Sequence, residues 1–156
     1  MNSQYVDNCN FRLQFLRADR MNPSRAAERL VRHFQAKLEL FGMNMLARDI
    51  TQDDLDDEAL AYLYDSSGQN LPIRDRAGRL VLVSFPQSAT TSITAKLRRV
   101  FYSSMVNAGD GETQRKGAVA ILYLVGEGFS LTEFSHRRAW IAKFSVLWNA
   151  LPIRLV

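Results

Sequence analysis

Cysteine is nearly absent. Cys9 is the one cysteine in 156 residues, so no intrachain disulfide can form, and a reducing compartment suits the chain. Long apolar runs are missing too. No stretch reaches the roughly 18 apolar residues that a membrane-spanning helix needs, so none is expected and membrane contact would be peripheral. Met1 to Tyr5 lack the basic and apolar regions of a signal peptide, which agrees with a cytoplasmic location. Histidine is scarce: His33 and His136 stand in separate segments without a cysteine cluster or a His-x-x-x-His pair, so no metal site is expected.

Catalytic signatures are lacking as well. Gly109-Asp110-Gly111 and Gly126-Glu127-Gly128 each begin like a dinucleotide fingerprint, but the third glycine position holds Gln114 or Leu131. There is no Walker A loop and no Gly-x-Ser-x-Gly elbow. The acidic run Asp53 to Glu58 is not a calcium loop, because Glu58 stands where an EF-hand requires glycine. Acids crowded there fit a helix N-terminus better. Arg12 lies near Cys9, yet no base or acceptor motif accompanies that thiol. The chain therefore reads as non-enzymatic, with no cofactor.

What is present is ordinary for a globular chain: 47% hydrophobic and 23% charged residues, enough apolar surface to offset the entropy of ordering. The formal net charge is +4, with arginine far outnumbering lysine. Such an excess suits an anionic partner, although a solvated face alone accounts for it. Arg98-Arg99, Arg115-Lys116 and Arg137-Arg138 could meet phosphates if they converged. The aromatics, however, fall on apolar helical faces and do not alternate with the cations, so nucleic acid is not expected as a partner.

Periodicity divides the chain. Phe11, Phe15 and Leu16 recur at helical spacing. Asn22-Pro23 opens a second helix whose stripe is Ala26, Ala27, Leu30, Val31, Phe34, Leu38 and Phe41, with Gly42 as its C-cap. A third helix is expected from Thr51 to Tyr64, then a loop at Ser66 to Asn70. Leu80 to Phe85 reads as a buried strand, Thr90 to Ala108 as a helix, and Ala118 to Val125 as a second strand. Leu131 to Ala150 reads as a helix, and Pro152 to Val156 as the opening of a third strand. Strand and helix in alternation predict an α/β fold with a mostly parallel sheet behind an N-terminal helical module.

Four segments carry a resemblance. Leu13-Gln14-Phe15-Leu16-Arg17-Ala18, followed by Asn22, Ala26, Ala27 and Leu30, is similar to the N-terminal helical module of the CRAL-TRIO (Sec14-like) family. Asp75-Arg76-Ala77-Gly78-Arg79-Leu80-Val81-Leu82 resembles the element leading into that family's first strand. Lys116 to Ile121, closed by Gly126, resembles its second strand, and Leu151-Pro152-Ile153-Arg154 its entry into a third. Tyr123 and Leu80 depart from the family's usual aspartate and proline.

The resemblance implies a helical module over 1–68 and the N-terminal part of a lipid-binding domain over 69–156, with the remainder of that domain missing. It implies non-catalytic binding, and intermembrane transfer, of a small hydrophobic lipid such as a phospholipid, impaired by truncation, with transient contact to a membrane surface. An acyl chain gains about 0.8 kcal/mol per buried methylene, so an apolar cavity suffices without catalytic groups. Alternation along the strands and the crossover helices nominates Val81, Val83, Phe85, Phe101, Ile121, Tyr123, Phe144 and Trp148 as lining residues. A closed core would use the same residues. The rival function is a protein-interaction module, pairing with a partner or with itself through an exposed sheet edge.

Overall fold

A computed structural model describes residues 3–65, 68–84, 91–122 and 131–156. Helices α1 (Ser3–Val6), α2 (Cys9–Ala18) and α3 (Pro23–Phe41) open the chain, followed by α4 (Asp57–Tyr64). Strands β1 (Gly68–Arg74) and β2 (Leu80–Ser84) come next, then α5 (Ile93–Ala108), α6 (Gly111–Lys116), β3 (Ala118–Leu122) and α7 (Leu131–Trp148). Local chemistry starts these helices where expected. Asn8 caps α2, and Asn22 accepts from the Arg25 amide with Pro23 at the first position of α3. Ser92 caps α5 and Asp110 caps α6.

The sheet corrects the expected fold class. The described residues are mostly helical, with one mixed three-stranded sheet in the order β1-β2-β3. β1 runs antiparallel to β2, and only β2 and β3 are parallel, so this is not an alternating, mostly parallel sheet. The reason is a tight turn. The Asp75 carboxylate accepts from the Ala77 and Arg79 amides, both at 2.9 Å, and Gly78 supplies φ 79°, which folds Gly68–Arg74 back onto β2. Pro72 lies in this edge strand, where its missing N–H is tolerated, and the pairing shifts between Asn70 and Arg74.

Other boundaries move for similar reasons. The loop expected through Asn70 is already β1 from Gly68. The helix expected from Thr51 is two elements: a 3₁₀ turn at Gln52–Asp54, closed by a Thr51–Asp54 capping box, then α4 with Asp56 as N-cap. The acids thus start two short helices, consistent with the helix-terminus reading of that run. Of the third strand, one parallel bridge forms, Ala118 to Leu155. Gly117 permits this close approach, since a Cβ there would lie 2.7 Å from the Arg154 carbonyl oxygen. The segments 85 and 123–125 of the two expected strands lie outside the described residues.

The largest core cluster joins Leu40 and Ile50 to Leu80, Val100, Phe101, Ala118, Phe144, Leu147, Trp148, Leu151 and Ile153. A second cluster, Phe11, Phe15 and Ala26, packs α2 on α3. The buried face of α3 differs from the expected stripe. His33 and Lys37 are inside, while Ala27, Val31 and Leu38 are exposed. Each buried polar group has a partner from elsewhere: His33 Nδ1 lies 3.2 Å from the Ala150 carbonyl oxygen, and Lys37 donates to the Arg48 carbonyl and to Tyr5 Oη. Tyr5 in turn donates to Asp49 at 2.8 Å.

Candidate functional site

A small cavity of about 40 Å³ lies where α5 and α7 cover the sheet. From the sheet come Asn70, Leu82, Val83, Ser84, Ala120 and Leu122. From α5 come Arg99, Val100, Ser103, Ser104 and Asn107, with Tyr62 of α4 beside them. From α7 come Trp140, Phe144 and Trp148, a ladder at helical spacing with ring centroids 5.4 Å apart at each step. The cavity sits toward the C-terminal ends of the parallel pair, the position at which open α/β sheets receive ligands.

Of the nominated residues, Val83, Phe144 and Trp148 come together on this cavity. Phe101 is buried one layer deeper, stacked on the His33 ring at 5.0 Å. Val81 is buried, and Ile121 is 50% exposed; neither lines the cavity. Leu82, Ser84, Ala120 and Leu122, which share the alternate face of the two strands, supply most of the sheet's lining beside Val83. Phe85 and Tyr123 lie outside the described residues.

Strand alternation does not reveal the polar half of the lining: Asn70, Ser84, Arg99, Ser103 and Asn107. Burial lowers the pKa of the Arg99 guanidinium from its ordinary value, with Tyr62 opposing. Its charge centre lies 5.8 Å from the Tyr62 ring centroid, so the ring face supports the cation. An arginine remains protonated in such a setting. The one signal available beforehand was Arg98-Arg99, and these two separate in space. Arg98 turns outward to Asp56 and the Leu40 carbonyl, while Arg99 turns to the cavity.

A second concavity, a cleft of about 500 Å³, is basic. Arg20, Arg25, Arg29 and Arg154 line it with Ala18, Asp19 and Asn22. Arg29 is committed to Asp19, with its Nε 2.7 Å from Oδ2. Arg20 and Arg25 are exposed, and Arg20 and Met21 both hold positive φ, 55° and 62°, in the turn that presents them. Arg154 donates to the Arg115 and Lys116 carbonyls at 3.3 and 3.4 Å. Nothing in the sequence spacing joins residue 154 to residues 20–29; the hydrogen bonds from Arg29 to the Trp148 and Leu151 carbonyls tie the two segments together.

No family model and no curated protein matches the sequence. Among the described residues no group of three His, Cys, Asp or Glu could hold a metal ion, and no helix is long and apolar enough to cross a membrane.

Proposed function

We propose that this chain is a non-catalytic binder of a hydrophobic lipid, similar in kind to the CRAL-TRIO proteins, which meets membranes peripherally from the cytoplasmic side. The observation that carries the reading is the cavity between sheet, α5 and α7, where an aromatic ladder and apolar strand residues face a short polar wall. Ligand pockets run to about 300–1,000 Å³, far above 40 Å³, so uptake requires α7 to part from the sheet. A membrane surface is a natural place for that step, because the apolar lining and the lipid leave water together.

The basic cleft supports the membrane half of the reading. Arg20 and Arg25 are exposed cations on one turn, and a basic residue near an anionic surface contributes about 1 kcal/mol of attraction. Exchanging both, Arg20→Gln with Arg25→Gln, is expected to weaken association with phosphatidylserine-containing vesicles by roughly 30-fold at low salt, about 2 kcal/mol. Cosedimentation across a salt series measures it, and an unchanged affinity removes the cleft from membrane contact.

Native mass spectrometry before and after incubation with mixed-lipid vesicles tests the binding itself. The expected result is a discrete added mass in the lipid range at one per chain. A bare chain that dimerises with concentration favours the rival, a protein-interaction module. That rival has its own support: the outer edge of β1 has no strand partner among the described residues, and Ile73 on it is 66% exposed.

A further inference from the structure

The basic cleft gathers more positive charge than its own acids neutralise. Arg20, Arg25, Arg29 and Arg154 line it, against one carboxylate, Asp19. That carboxylate is committed to Arg29, whose Nε and Nη2 lie 2.7 and 3.0 Å from its two oxygens. Arg20 and Arg25 are exposed, and among the described residues neither has a carboxylate within ion-pair distance. Arg154 gives Nη2 to the Arg115 and Lys116 carbonyls, which fixes the guanidinium while leaving its charge without a counter-ion. Its Nε is buried and meets no acceptor among the described residues, so its donor capacity is not filled. Like charges on one concave wall repel each other, and an anion between them relieves that repulsion.

The backbone holds the three cations on this wall. Arg20 and Met21 both take positive φ, 55° and 62°, which residues with a Cβ rarely adopt, and the Met21 N–H closes the turn on the Leu16 carbonyl at 2.6 Å. Asn22, the N-cap of the 19-residue helix α3, lines the cleft too, so the positive end of that helix adds to the arginines. Opposite, the Arg29 bond to the Leu151 carbonyl at 3.0 Å sets the segment that carries Arg154 against the turn. The space of about 500 Å³ falls within the roughly 300–1,000 Å³ usual for ligand sites. A guanidinium fork matches phosphate oxygens two at a time. A phosphomonoester offers three such oxygens and, with its second proton leaving at about pH 6, nearly two negative charges at neutral pH.

We propose, resting on the anion-meeting role given to this cleft above and not on lipid uptake at the sheet, that the cleft is a phosphomonoester site. Arg20, Arg25 and Arg154 hold the terminal phosphate, whether it belongs to a lipid headgroup or to a small soluble ester. A phosphodiester brings one charge to three cations and is held more weakly.

Calorimetry of the whole chain at pH 7.5 and low, matched ionic strength compares glycerol 3-phosphate with dimethyl phosphate. Glycerol 3-phosphate is expected to saturate at one per chain, with dimethyl phosphate at least tenfold weaker. Arg25→Gln is expected to weaken glycerol 3-phosphate at least fivefold. Arg76→Gln removes the same charge from the exposed β1–β2 turn and is expected to change nothing. Equal binding of the two esters, or equal losses in the two variants, overturns the site in favour of diffuse positive charge. No saturation by glycerol 3-phosphate overturns it outright. Cosedimentation with phosphatidylcholine vesicles carrying phosphatidic acid, or phosphatidylserine at the same surface charge, separates the two sources. A preference for phosphatidic acid that glycerol 3-phosphate displaces assigns the headgroup; binding of the free ester without that preference assigns a soluble ligand. An added phosphatidylcholine mass in native mass spectrometry reports on the sheet cavity, so either result can fail without the other. The ratio of the two esters is measured on the unaltered chain, so it decides the matter whatever the variants do.

Discussion

Lowering the pH from 6.5 to 4.5 is expected to cost this protein about 2 kcal/mol of stability, and His33→Phe to remove most of that loss. His33 is fully buried. Its ring stacks on Phe101 and meets Phe11, Phe15 and Phe34 edge-on, at 65–81° with centroids 5.1–5.8 Å away. The neutral ring donates through Nδ1 to the Ala150 carbonyl, while Nε2 has no partner among the described residues. Burial pushes its pKa down to about 3, helped by the charge of Lys37 and opposed by the Ala150 carbonyl. An unfolded histidine titrates near 6.5. Between those values the unfolded chain takes up a proton that the native ring refuses, so the stability is complete above 6.5 and drains away as the pH falls toward 3. Over the whole interval, at about 1.4 kcal/mol per pH unit, the loss approaches 5 kcal/mol, comparable to the entire stability of a small domain.

The window from 6.5 to 4.5 isolates the histidine. Asp54, Glu58, Asp75 and Asp110 are held below their ordinary values by Arg48, Ser92, Arg79 and Thr113 respectively, and most of their contribution is lost below the window, Glu58 beginning to lose its share at the lower edge. Lys37, pushed down to about 8 by burial, changes charge above the window. Phenylalanine keeps the ring contacts and gives up one hydrogen bond, about 1 kcal/mol. Urea unfolding of both proteins at pH 6.5 and 4.5 makes the comparison. A parent chain that loses less than about 1 kcal/mol across the window refutes the argument.

Why His33 could not be read as a core residue beforehand is instructive. Periodicity scores apolar side chains, and by that measure Val31 and Leu38 belong to the buried stripe of α3. The structure puts them outside and seats His33 and Lys37 inside, because partners for those two polar groups arrive from Ala150, Arg48 and Tyr5. Local signals did mark the helices α2, α3, α5 and α7 and the strands β2 and β3, where caps, apolar spacing and β-branched runs agree. They missed β1. Gly68-Gln69-Asn70-Leu71-Pro72-Ile73-Arg74 has the composition of a loop and becomes a strand through the Asp75–Gly78 turn and its pairing with β2. That one hairpin is what changes the fold class. At the cavity, alternation correctly divides each strand into two faces but does not say which face α5 and α7 will cover. Leu82 and Leu122 therefore line it where Val81 and Ile121 were expected. The polar wall could not be foreseen, since Arg99, Ser103 and Asn107 read as an ordinary hydrophilic helix face until the sheet is placed against them.

Arg29→Ala is expected to cost about 3–5 kcal/mol, the usual penalty for breaking a buried ion pair from one side. Its guanidinium faces two groups at once. Nε and Nη2 grip the Asp19 carboxylate at 2.7 and 3.0 Å, and Nη1 donates to the Leu151 carbonyl at 3.0 Å and the Trp148 carbonyl at 3.3 Å. The side chains of the pair are 14% and 11% exposed, so water does little to screen them or to replace the lost bonds. Trp148 is the last residue of α7, where carbonyls lack helical partners and a cation is favoured. Arg29 and His33, one turn apart on α3, together hold the segment from Trp148 to Leu151 in place. Removing Arg29 leaves Asp19 charged without its partner and frees the end of the helix whose Trp148 walls the cavity. Arg29→Lys keeps the charge but not the fork, and falls between parent and alanine variant. Asp19→Ala costs less than Arg29→Ala, because Arg29 retains its two carbonyl acceptors. In the double variant the losses are less than additive by 1 kcal/mol or more, the mark of groups that act together. Chemical unfolding of the four proteins measures the cycle. An Arg29→Ala chain within about 1 kcal/mol of the parent would show that α7 is anchored by its apolar contacts alone.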